Sequence, residues 1–192
     1  MSSKDFILAS SSAIRISILE KYSLPFKHLR PTCNEDKLKE DNRHLSPSDL
    51  STFLAKEKAL SISKDYPDSL VLGCDQICLL NDRIFEKPGT QENAVNALKE
   101  LRSNEHFLIG SYVFVKNGGV ISTKLIKTTM LMKDLTDHEI QAYVDEDRPF
   151  NSCGSYMFEK NGYKLFKETN GSLEAINGLP FNELKETINE YL

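Results

Sequence analysis

No stretch of this sequence approaches the roughly 18 to 20 consecutive apolar residues that a membrane span needs, although 40% of its 192 residues are apolar and 27% are charged. That composition is globular, with length enough for one sizeable core or two closely joined lobes. Cysteine is scarce. Of Cys33, Cys74, Cys78 and Cys153, only Cys74 and Cys78 stand close together, and their C-x3-C lacks the second pair a zinc site requires. Buried free thiols are the expectation. An excess of positive charge is missing too: 24 basic residues face 28 acidic ones, for a net charge of −4. Nucleic-acid phosphates reward a broad basic face, so nucleic acid is disfavoured as a partner, and a polyanionic ligand has to meet a local cluster of cations. The chain contains no G-x-x-x-x-G-K-[ST], no G-x-S-x-G and no H-E-x-x-H, which leaves P-loop, serine-hydrolase and zincin chemistry without support. Its opening, MSSKDFILASSSAIR, reads as a first strand and not as a signal peptide, so a cytoplasmic location is expected.

What the chain does have begins with Leu70 to Leu80, LVLGCDQICLL, where Asp75 and Gln76 interrupt a run otherwise fit for a buried strand. A charge buried without a partner is costly. Asp75 should therefore cap a turn, face a cation, or sit at a strand end opening on a solvated cleft, the last being favoured. Asn81-Asp82 signals a tight hairpin, after which Lys87-Pro88 returns a cation to the neighbourhood.

Elsewhere the pattern alternates strands and helices. Residues 5 to 9 fit a short buried strand, followed by Ser10-Ser11-Ser12 and an amphipathic helix from about Ala13 to Tyr22. Ser46-Pro47 opens a helix to about Ser63 that carries Lys56 and Lys58, and Thr90 caps another from Gln91 to Leu101. His106 to Val115 and Val120 to Met132 are β-rich and joined by Asn117-Gly118-Gly119, a strong hairpin signal. Thr136-x-x-Glu139 is a capping box for a helix to about Asp145. Strands or turns are expected near Ser155 to Glu159 and Tyr163 to Phe166, and a last helix from about Phe181 to Tyr191. The sum is an α/β sheet with some parallel pairing, long and twisted enough to separate two lobes.

Three sets of polar groups could converge. A strand, small-residue loop and helix presents Ser10, Ser12 and Arg15 where hydroxyls, free backbone N–H groups and a guanidinium suit phosphate oxygens. Glu35, in an acidic loop after Pro31, and Asp75 are two carboxylates suited to Mg²⁺, whose shell is completed by phosphates and water. Lys87 lies beyond the central hairpin. Taken singly each has an ordinary reading: a serine before a helix is a plain N-cap, a loop glutamate is solvated, a helix lysine is exposed.

Read in order, the motifs resemble the Maf-like nucleoside triphosphate pyrophosphatases. The family's L-A-S-x-S-P-R-R is similar to Leu8 through Arg15, its P-x-x-D-E to Pro31 through Glu35, and its L-A-x-x-K-A to Leu54 through Ala59. G-[AS]-D-[TQ] and the later K-P resemble Gly73 through Gln76 and Lys87-Pro88. Y-V-x-x-x-x-P, A-G-[SAG]-[YF] and G-L-P look like Tyr143 through Pro149, Cys153 through Tyr156 and Gly178 through Pro180. The resemblance implies one Maf/ITPase-like domain over residues 1–192, an elongated, twisted mixed β-sheet flanked by helices with two lobes around a central cleft. It also implies hydrolysis of nucleoside triphosphates between the α and β phosphates with a divalent metal cation, Mg²⁺ or Mn²⁺. Asp75 would activate water, Glu35 and Asp75 would hold the metal, and Ser10, Ser12, Arg15, Lys58 and Lys87 would hold the triphosphate. Homodimers are frequent in the family.

Two positions bear on the base. Members acting on dTTP and UTP usually have D-T and a closing glutamine, whereas 7-methyl-GTP pyrophosphatases have D-Q and a glutamate; this chain has Gln76 and Glu159. A carboxylate can accept both N1–H and N2–H₂ of guanine, and 7-methylation makes the ring cationic. Tyr156 or Phe158 could stack on such a base. The resemblance thus implies 7-methyl-GTP, with dTTP, UTP or a broader set of modified nucleotides as the alternative, and a regulatory septum-formation inhibitor acting by binding as a further one. The chain departs from the family at Ala13, Ile14, Asn34, Cys74 and Cys153 and over Gly171 to Ala175. Asn34 removes one possible metal ligand.

Overall fold

A computed structural model describes residues 5 to 192; the reading of the first four residues lies outside them. Strand β1 (Phe6–Ala9) pairs in parallel with β2 (Lys27–Leu29) on one side and with β3 (Leu70–Leu80) on the other, so that Ile7 stands between Lys27 and Val71. Between these strands run α1 (Ala13–Glu20), α2 (Glu35–Asp41) and α3 (Pro47–Ser63). At Asn81, whose φ is 53°, β3 turns back into β4 (Arg83–Phe85) as an antiparallel hairpin. There follow α4 (Gln91–Leu101), β5 (Glu105–Lys116) and β6 (Gly119–Met132). Asn117 and Gly118 join the two long strands with φ of 52° and 72°, the left-handed pair that a two-residue hairpin turn demands. Helix α5 (Asp137–Asp147), β7 (Phe166–Asn170), α6 (Leu173–Ile176) and α7 (Phe181–Tyr191) complete the chain. Seven strands form one mixed sheet in the order β2-β1-β3-β5-β6-β7, with β4 paired to β3. Among the described residues no helix is long and apolar enough to cross a membrane.

Helix starts follow their side chains. Ser46 accepts a hydrogen bond from the Asp49 N–H with Pro47 just inside the helix, Thr90 accepts from the Asn93 N–H, and Thr136 and Glu139 make both halves of a capping box. The first helix ends at Glu20, short of the expected Tyr22. The C-terminal third differs more. The segments expected as strands or turns around Ser155 and Tyr163 contain short 3-10 turns at Cys153–Ser155 and Gly162–Leu165, and the strand begins only at Phe166. Gly154 has φ 70°, and a Cβ there would stand 2.8 Å from both the Cys78 Sγ and a Tyr156 ring carbon, so the chain can pass only as glycine.

The chain resolves into two compact units. The first takes the chain up to Asp75, Gly110–Ile126 and Gly178–Leu192; the second takes Gln76–Ile109 and Lys127–Asn177. In the first, both faces of β1 and β3 are covered. Phe6, Leu8, Leu70 and Leu72 pack with Ile18, Leu19, Leu184 and Ile188, while Ile7, Ala9 and Val71 pack with Ala55, Ala59 and Ile62 of α3. Parallel strands buried on two faces read as continuous apolar runs, as these do.

The core of the second unit joins Leu98 and Leu101 of α4, Ile140 and Val144 of α5, and Met130 and Met132 of β6. Against it lies an aromatic group: Tyr156 meets Phe166 edge-on at 4.8 Å between ring centres, and its hydroxyl is 3.0 Å from the Nε2 of the buried His106. Burial pushes the His106 pKa down to about 4, against a smaller upward push from a backbone contact at Asn104. Because the folded value lies below the unfolded 6.5, His106 contributes stability that is complete above pH 6.5 and is lost as the pH falls through about 4. The loss should amount to roughly 3 kcal/mol. Urea unfolding at a series of pH values should show His106→Phe losing markedly less stability than wild type between pH 6.5 and 4; equal slopes would refute this assignment.

Candidate active site

Successive side chains of a strand point to opposite faces, so the α3 face of β3 that takes Val71 also takes Gly73 and Asp75. Gly73 lets α3 come close. A Cβ there would stand 2.0 Å from the Ala55 carbonyl oxygen and 3.0 Å from the Ala59 Cβ. On α3, Ala55, Lys58, Ala59 and Ile62 follow the i, i+3, i+4, i+7 spacing of one helical stripe, and the three apolar members are buried. Lys58 therefore stands in the packed face of α3 and not among its solvated residues. Its Nζ donates to Asp75 Oδ1 at 2.7 Å and lies 2.9 Å from Glu35 Oε2. The Lys58 side chain is 11% exposed, Asp75 7% and Glu35 32%.

Asp75 thus faces a cation. The strand runs on to Leu80, so the expected strand-end position does not hold, and the partner is Lys58, not Lys87. Glu35 lies in no loop: it is the first residue of α2, which Asn34 caps by accepting from the Lys37 N–H at 3.1 Å. The residue that departs from the family motif is thereby committed to holding the helix that carries Glu35. Lys39, one turn on, reaches Glu35 Oε1 at 3.4 Å. Burial drives the Lys58 pKa down, but the charges of Asp75 and Glu35 and their hydrogen bonds outweigh it and raise the value above 10.5. Among the described residues no group of three or more His, Cys, Asp or Glu side chains converges.

The α1 end belongs to the same unit. Ser10 is buried and its Oγ accepts from the Ser12 N–H at 3.2 Å; the Ser12 side chain makes no capping bond, and no acidic residue occupies the first turn of α1. Arg15 donates from Nε to the Gly178 carbonyl at 2.9 Å and from Nη1 to the Cys74 carbonyl at 3.1 Å, fastening α1 to β3 and to the G-L-P turn. The other three expected residues lie in the second unit. Lys87 is exposed beyond β4. The Gln76 side-chain amide donates to the Ala175 and Ile176 carbonyls at 2.9 and 3.3 Å. Glu159 is exposed and lines a cavity of about 510 Å³ with Phe158, Tyr163, Leu173 and Asn177. Tyr156 is core, held by His106 and Phe166, which removes it as a stacking surface; of the expected pair only Phe158 lines the cavity. Asn177 escaped the sequence reading, since an asparagine beside a glycine reads as an ordinary turn.

The cysteines form no disulfide; Cys74 and Cys78 are buried, Cys33 and Cys153 half-buried. Burial pushes the Cys74 thiol up to about 11 and Cys78 well above its ordinary value. A thiol so shifted is a poor nucleophile at neutral pH.

The family model described as Maf-like protein matches residues 5–191. The chain is 35% identical to a nucleoside triphosphate pyrophosphatase of Legionella pneumophila, covering 94% of this chain and 90% of that one. It is also 35% identical to a 7-methyl-GTP pyrophosphatase of Aromatoleum aromaticum, covering 95% and 93%. Among solved structures, the Staphylococcus aureus Ham1 protein aligns with a TM-score of 0.48 at 14% identity, covering 98% of this chain and 100% of that one.

The raised Lys58 pKa has a testable sign. Its folded value lies above the unfolded one, so the contribution of this ammonium is complete below pH 10.5 and is lost as the pH climbs through the folded value. Chemical denaturation between pH 9 and about 12 should show wild type losing stability more steeply than Lys58→Met. Parallel curves would contradict the pairing.

Proposed function

Given that this chain belongs to the Maf-like family, we propose that it is a hydrolase cleaving nucleoside triphosphates between the α and β phosphates, releasing a nucleoside monophosphate and pyrophosphate, with 7-methyl-GTP as the preferred substrate. The observation that carries this reading is the trio of the buried Asp75 and the part-buried Lys58 and Glu35, in which one ammonium is shared by two carboxylates at 2.7 and 2.9 Å. No packing need of the fold calls for three charged groups there.

Asp75 takes the proton of the attacking water, whose oxygen bonds to the α phosphorus while the bond from that phosphorus to the bridging oxygen breaks and pyrophosphate departs. Lys58 holds the carboxylate in place and supplies positive charge beside it. Asp75 and Glu35 fit a divalent cation, Mg²⁺ or Mn²⁺: both are oxygen donors already flanking one positive charge, and such ions take one or two protein carboxylates with phosphates and water. When bound, the ion would lower the pKa of a water and neutralise phosphate oxygens. Ser12 and the free N–H groups opening α1 receive phosphate oxygens, with Ser10 bracing Ser12. Arg15, with Nε and Nη1 committed to carbonyls, offers Nη2. Lys87 balances charge on the departing pyrophosphate.

The preference for 7-methyl-GTP rests on Gln76 and Glu159. An ionised Glu159 accepts both donors of the guanine Watson–Crick edge, which a glutamine cannot do, and the cationic ring strengthens the pairing.

Asp75→Asn should fold and lose roughly 10² to 10⁴ in turnover, read as pyrophosphate release in Mg²⁺ or Mn²⁺; near-wild-type turnover would overturn the assignment. Phosphate as the first product would mean cleavage at the terminal bond. Across a panel of canonical, methylated and deaminated triphosphates, 7-methyl-GTP should have the highest kcat/KM. Faster cleavage of dTTP or UTP would reverse the preference.

A further inference from the structure

We propose that Lys39 is a further substrate-binding residue, whose ammonium takes the terminal phosphate of the triphosphate, the one farthest from the attacked phosphorus. The inference rests on the nucleotide-hydrolase reading above and adds one residue to its phosphate grip. It starts from the side of α2 that meets α3. Glu35, Leu38 and Lys39, with Asn42 just past the helix end, are part-buried at the i, i+3, i+4, i+7 spacing of one stripe, whereas Asp36, Lys37, Glu40 and Asp41 are exposed. Lys39 therefore stands on the same side of the helix as Glu35, and Lys37 does not.

Four charges alternate from the strand outward. Asp75 Oδ1 is 2.7 Å from the Lys58 Nζ, that Nζ is 2.9 Å from Glu35 Oε2, and the other oxygen of Glu35, Oε1, is 3.4 Å from the Lys39 Nζ. The Lys39 side chain is 26% exposed against 11% for Lys58, so the row runs from a sealed end to an open one. Ammonium and carboxylate joined by a charge-assisted hydrogen bond lie about 2.7 to 2.9 Å apart. Lys58 meets that distance to both of its carboxylates, while Lys39 sits in a looser ion pair with Glu35. The inner ammonium is fixed, and the outer one can turn to a more strongly charged acceptor.

A phosphate is that acceptor. The two carboxylates and two ammoniums of the row cancel, while a triphosphate carrying one divalent cation keeps a net negative charge and has to meet further cations. Asp75 stands at the reacting end of the row, and Lys39 at the opposite, open end. The phosphate farthest from the reacting bond accordingly falls to Lys39. A lysine in the last turn of a helix also has an ordinary role, since it complements the helix dipole and pairs with a glutamate four residues before it. That role acts on the helix alone and confers no affinity for phosphate, which is how experiment separates the two.

The test uses the full-length protein, with inorganic pyrophosphate in Mg²⁺ as the probe and titration calorimetry as the readout. Lys39→Met should weaken pyrophosphate about fivefold or more, and Lys39→Arg, which keeps the charge, should stay within about twofold of wild type. Lys37→Met removes the same charge from the exposed side of α2 and should also stay within about twofold. In turnover, Lys39→Met should raise KM for the triphosphate about fivefold or more and change kcat by less than about twofold, because a contact remote from the reacting bond holds ground state and transition state alike. A role confined to the helix would instead lower the urea midpoint of Lys39→Met and leave pyrophosphate affinity and KM where they are. Unchanged pyrophosphate affinity in Lys39→Met, or an equal loss in Lys37→Met, would overturn the inference. Absence of pyrophosphate release by wild type would defeat the hydrolase reading alone, because pyrophosphate binding is read independently of catalysis.

Discussion

One ammonium held between two carboxylates is the constraint around which the first unit is arranged. Stripping water from a charged group costs several kcal/mol, a cost that falls mainly on Asp75 and Lys58 since Glu35 keeps 32% of its side chain exposed, and apolar replacements of buried ion pairs are often neutral or stabilising. Stability alone is therefore a weak reason for the Asp75, Lys58 and Glu35 cluster, which is what favours the proposed reading of it as a site. The fold commits specific residues to it. Gly73, Ala55 and Ala59 are small where α3 crosses β3, which brings Lys58 within 2.7 Å of Asp75, and Asn34 starts the helix that brings Glu35 to the other side of the same Nζ.

Adjacent residues of β3 have different partners. Asp75 looks toward α3 and its cation, while Gln76, pointing the other way, reaches the last carbonyls of α6. The two-residue period of a strand makes this division unavoidable. Cys74, between Gly73 and Asp75 on β3, is sealed in the core with its thiol pushed up to about 11.

Much of this was legible in the sequence wherever apolar periodicity or turn chemistry speaks. Helices α3, α4 and α7 and the two hairpins lie where their caps, stripes and Asn-Asp and Asn-Gly signals place them, because each element buries one face or needs one particular turn. Helix α2 was not legible. EDKLKED buries no residue, so no apolar stripe marks it, and Glu35 looked like a loop charge. The segments before β7, expected as strands or turns, contain 3-10 turns, and the choice between the two was not legible because the first is held by tertiary packing about Tyr156 and Gly154 and not by local propensity. Lys58 was readable in principle: a lysine spaced three and four residues from buried alanine and isoleucine is a lysine with a buried partner. The partner's identity needed the register of β3 against α3, which no local pattern supplies.

The central claim is that Asp75 and Lys58 act as one charged unit in the folded protein. A double-mutant cycle measures this directly: urea stability at pH 7 of wild type, Asp75→Asn, Lys58→Met and the double variant. Partners in direct contact should show an interaction energy of at least about 1 kcal/mol, the double variant being less destabilised than the two single changes added together. Single effects that add to within about 0.5 kcal/mol would contradict the account.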